Sequence, residues 1–128
     1  MNPTLEDLMR TAFHSGCAVG DGTIMIAYDF DKTPTSGTIG PKRVGISIPA
    51  NRYIASGFMN ATTATTGAFT PQIVVAGDIF PAQTALAIGA TIDAAKVSTG
   101  NFAREVFINV TAVATGKILI FLQSFPLK

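Results

Sequence analysis

From Thr23 onward, apolar residues recur at every second position. Ile24, Ile26, Tyr28 and Phe30 alternate with smaller or polar residues, as do Val44, Ile46 and Ile48. Val106, Ile108, Val110 and Ala112 repeat the pattern near the other end of the chain. A period of two sends successive side chains to opposite faces of a strand, so each segment can bury one face. The periodicity points to an all-β fold class.

Turn-forming residues divide the strands. Lys32 to Pro41 holds two prolines and two glycines and reads as a loop, and Pro49-Ala-Asn51 reads as a turn. Tyr53 to Asn60 and Thr70 to Val75 read as separate strands. Between them Ala61 to Gly67 is small and polar, suited to a loop or an exposed strand edge. Gly77-Asp78 signals a turn. Pro81 to Ala90 fits either a helical turn or a strand, and Thr91 to Lys96 either a short helix or a loop. Arg104 to Ala112 and Lys117 to Ser124 read as two strands of a hairpin, joined through Ala114-Thr-Gly116. About seven short strands with turns between them predict a β-sandwich or jelly-roll-like domain, over residues 21–128.

The first twenty residues differ. Leu5, Leu8, Met9 and Ala12 fall at helical spacing, Thr4 can cap the helix, and Glu6 and Asp7 suit its positive end. The spacing predicts a short helix over 3–13, ended at His14-Ser-Gly16. A helix this short is not stable alone and must dock. Residues 1–20 therefore read as an N-terminal arm, with Leu5, Leu8, Met9 and Phe13 as its partner-binding side chains. The seat could be a neighbouring subunit or one end of the chain's own domain.

Charged residues make up 13% of the 128, against about a quarter in ordinary soluble domains. So few charges predict a surface partly hidden in an assembly. The net charge of +1, with no basic cluster beyond Lys42-Arg43, argues against nucleic acid as a partner. The longest apolar run, Ile118 to Leu122, is too short for a membrane helix, and the N-terminus has no secretory pattern. A soluble product of the cytoplasm is expected, with no membrane partner.

Asp29-Phe-Asp31-Lys-Thr33 after an apolar strand matches the box in which phosphatases place a nucleophilic Asp and a second Asp as acid and base. The rest of such an enzyme alternates strands and helices, which this chain does not. Pro34 stands where an apolar residue is usual, and the pair reads as a strand end entering solvent. His14 and Cys17 are the sole His and Cys, too few for a zinc site. Asp78, Asp93 and Glu105 have no calcium-loop spacing. The expectation is no catalytic residue, no cofactor, no metal and no small-molecule substrate.

Val44-Gly-Ile-Ser-Ile-Pro-Ala-Asn-Arg-Tyr-Ile54 resembles a group of small tailed-phage virion proteins: an apolar strand, Ile-Pro-Ala with a polar residue, and a second apolar strand. The resemblance extends to Gly20-Asp-Gly22, the Thr/Ala-rich stretch 61–70 and Ala114 to Leu122. It implies a capsid decoration (cement) protein on the virion exterior, often a homotrimer, clamping neighbouring copies of the major capsid protein. Terminal arms of such proteins often reach adjacent subunits. A head-fibre or tail component binding a host receptor or glycan is the alternative.

Overall fold

The computed structural model describes residues 17–19, 22–74 and 76–127. The helix expected over 3–13, with Leu5, Leu8, Met9 and Phe13, lies outside them, as does His14. Every regular element among the described residues is a strand, and all belong to one antiparallel sheet. They are β1 (Cys17–Val19), β2 (Thr23–Asp29), β3 (Gly40–Ile48), β4 (Arg52–Ile73), β5 (Gly77–Asp78), β6 (Gln83–Thr84), β7 (Thr91–Asp93), β8 (Val97–Ser98) and β9 (Arg104–Pro126). The all-β expectation holds. Cys17–Val19, grouped with the arm by sequence, pairs with Thr23–Met25 and belongs to the sheet.

The expected hairpin at Ala114–Gly116 does not form. Arg104 to Pro126 is one continuous strand, and its two halves pair with other strands rather than with each other. The reason lies in the alternation. Val106, Ile108 and Val110 are buried on the even positions, and Ala114, Ile118, Ile120 and Leu122 continue on the same parity. A tight hairpin of the type I′ kind needs positive φ at two consecutive residues. Here only Gly116, at φ +100°, adopts it. β4 likewise runs unbroken through Ala61–Gly67, absorbing four register shifts between Ala61 and Phe69. Extra residues in one strand of a pair bend it without ending it.

β9 is the common partner of both halves of the sheet. Its Lys117–Gln123 segment lies between β2 and the first part of β4, with β7 and β8 beyond. Its Arg104–Val110 segment lies between β3 and the last part of β4, with β5 and β6 beyond.

The register also shows that β9 doubles back. Straight, it would separate Arg104 from Pro126 by ~73 Å. Yet Arg104 pairs with Ile48 and Pro126 with Arg52, and that four-residue connection spans at most ~14 Å. The sheet therefore folds over near Thr111–Gly116, and its two inner faces share one core. Ile24, Ile26, Met59 and Ile120 come from one half, and Ile48, Phe69, Ile73 and Ile108 from the other. Phe30, just past β2, lies 5.0 Å from the Phe69 ring across the fold.

Candidate functional site

The loop after β2 is the most densely bonded polar feature. Asp29 Oδ1 accepts the Asp31 backbone N–H at 2.8 Å, closing a local turn, and Lys117 Nζ lies 3.9 Å from Asp29 Oδ2. Asp31 Oδ2 accepts the N–H of Gly116 at 3.0 Å, while the Gly116 carbonyl accepts the Phe30 N–H at 2.9 Å. The two carboxylates thus tie the end of β2 to the bend of β9. Gly116 is needed there: a Cβ would stand 2.4 Å from the Ala64 carbonyl oxygen.

The rest of the loop is bonded just as closely. Thr33 and Ser36 hydroxyls meet at 2.8 Å, and the Ala114 N–H donates to the Gly37 carbonyl at 2.8 Å. The Tyr28 hydroxyl donates to the Ser36 carbonyl at 2.6 Å. Burial pushes the Tyr28 pKa above its ordinary value, the bond to Ser36 pulls it back, and nearby Asp29 raises it further. Between loop and strand lies an open groove of about 460 Å³, lined in part by Asp31, Thr33, Val113 and Thr115. The aspartates that the sequence marked are together, but they hold backbone. No group of three His, Cys, Asp or Glu side chains gathers among the described residues.

A second polar cluster closes the opposite end. Arg52 donates through Nε to Ser124 Oγ at 2.9 Å, Thr99 Oγ1 accepts the Arg52 N–H, and Arg104 Nε donates to the Thr99 carbonyl at 2.8 Å. Thr99 and Ser124 are fully buried, so this network satisfies groups that would otherwise be orphaned at the meeting of strand ends.

The two outer faces of the sheet differ in chemistry. On the β3 side, Arg43 pairs with Glu105 at 3.1 Å and Gln72 donates to Asp78 at 2.8 Å. An open groove of about 660 Å³ there runs past Pro41, Val74, Ala76 and Phe107. On the β2 side the outward residues are Met25, Ala27, Leu119, Phe121 and Phe58, from three adjacent strands. Phe58 and Phe121, directly opposite in register, stack at 5.4 Å. Polar rows border this apolar band: Thr23 and Gln123, bonded at 3.0 Å, on one side, and Asp29 and Lys117 on the other. Large apolar side chains also stand in solvent elsewhere: Ile39, Ile88, Phe102 and Val113 are each more than 60% exposed.

Sequence reasoning located the aspartates but missed the banded outer face. Its signal was present: Met25, Ala27, Leu119 and Phe121 occupy the off positions of strands whose even positions are already apolar. A strand apolar on both faces needs cover on both. Comparison with known protein families, with curated proteins and with solved structures returned no match.

Proposed function

We propose that this chain is a structural virion component, a decoration protein on the outside of a phage capsid that bridges neighbouring capsid subunits as a homotrimer. In this reading the folded-over sheet is a sandwich of the jelly-roll kind, and the chain catalyses nothing. The observation that carries it is apolar surface. A chain with only 13% charged residues leaves Phe102, Ile88, Ile39 and Val113 in water. Surfaces of that kind mark places where another protein sits. The bonded aspartates favour a scaffold over an enzyme, since each carboxylate holds a backbone N–H through one of its oxygens.

Two measurements test the reading. Light scattering on the purified chain should give three times the monomer mass, and a clean monomer at micromolar concentration counts against the trimer. Quantified particle composition should give hundreds of copies per virion. A dozen or fewer would move the protein to a tail or vertex.

A further inference from the structure

We propose that β3 is a guarded edge: Lys42, together with Pro41 and the bulge at 44–46, keeps the β3 of a second copy from adding to the sheet. The proposal does not depend on which larger assembly the chain joins.

An outer strand has one row of backbone N–H and C=O groups without a strand partner, and another chain can pair with that row. Among the described residues most outer strands are too short to receive one. β1, β5, β6, β7 and β8 have two or three residues each. β3 is different: it has nine residues and pairs with β9 alone. Lateral growth of the sheet would therefore start at β3.

Three features of β3 oppose that growth, and Lys42 is the strongest. Its register partner Ile108 is fully buried, and Val44, Ile46 and Ile48, on the same parity, pack on the core. Lys42 thus stands on the inner side of the strand. It is half-buried there, with Nζ donating to Thr38 Oγ1 at 2.8 Å. A further strand, about 4.8 Å away, would cover its open flank and hold the ammonium against the inner face. Pairing would then bury a charge without supplying an opposite one, which is costly. Pro41 has no N–H, and a proline in a strand sits with its nitrogen toward the open side, so the row lacks a donor. Between the pairs Arg43–Phe107 and Ser47–Glu105, Val44, Gly45 and Ile46 stand opposite Val106 alone, with Gly45 at φ +84°. That bulge kinks the edge, so a straight strand could match only part of it.

Lys42→Val in the full chain tests this, because it keeps the strand's alternation and removes the charge. Two β3 edges can pair antiparallel about a two-fold axis, so light scattering should rise to about twice the parent's mass as concentration is raised. Hydrogen exchange within residues 40–48 should slow about tenfold over the same range. The parent should show neither change. Lys96→Val, which removes an exposed charge outside β3, should behave as the parent does, and so should Lys42→Arg. If circular dichroism shows that Lys42→Val does not fold, Lys42→Met takes its place. A Lys42→Val chain with the parent's mass and exchange overturns the proposal, as does a rise in mass without slower exchange in β3. Equal association in Lys96→Val also overturns it, since lost charge alone would then be the cause. So does a parent in which every β3 amide already resists exchange, because its edge is then covered.

Discussion

The carboxylate of Asp31 holds a backbone N–H 85 positions away, at Gly116. Removing it leaves that N–H, in a buried glycine at the crease of the sheet, without its acceptor. Asp31→Ala should lower stability by about 1 kcal/mol, whereas Asp31→Asn, which keeps an acceptor oxygen, should lose less than half of that. Urea denaturation of the two variants distinguishes a tether from a mere surface charge. The sequence showed the aspartate pair but not its role, because the partner N–H is distant in the chain and carries no side-chain signal. Tyr28 adds a test in pH. Its folded pKa lies above the ordinary value of 10.0, so the unfolded chain loses the proton first. Its contribution is fully present below about pH 10 and is lost as pH rises from there through the folded pKa. Melting temperature should fall over that window, and the fall should be smaller in Tyr28→Phe.

At the scale of elements, β9 has the greatest weight because it has a partner on each side along both halves. Ile120 illustrates this: it is fully buried and pairs with Ile26 on one side and Met59 on the other. Ile120→Ala should cost about 3 kcal/mol, the usual range for a buried Ile cut to Ala, and lower the melting temperature accordingly. Most of β9 was legible as strand, since both of its halves alternate. Its continuity was misread because Ala114-Thr-Gly116 has hairpin residues. The parity running from Val106 to Leu122 was the better guide, and composition at the join was the poorer one. β4 hid its continuity the same way: Ala61 to Gly67 lacks the apolar alternation of a buried strand, and pairing with β9 makes it one.

At the scale of the molecule, the fold-over of the sheet was not legible, because it depends on which distant segments pair. For association, the low charge fraction raises the expectation of hidden surface without saying where. The exposed apolar side chains now give that expectation residues. If they form the oligomer contacts, Phe102→Ser with Ile88→Ser should shift the light-scattering mass toward the monomer. Each substitution alone should change stability by no more than about 0.5 kcal/mol, as exposed positions usually do. The shared strand also carries a consequence for biosynthesis. β2, β3 and β4 all take β9 as a partner, and β9 follows them in the chain. At about 5–20 residues per second, some 4–16 seconds separate the synthesis of Thr23 from that of Arg104. Through that interval β2 has only β1 beside it, β4 only the short β5 to β8, and β3 no sheet partner, so this protein completes its sheet only after most of the chain has been translated.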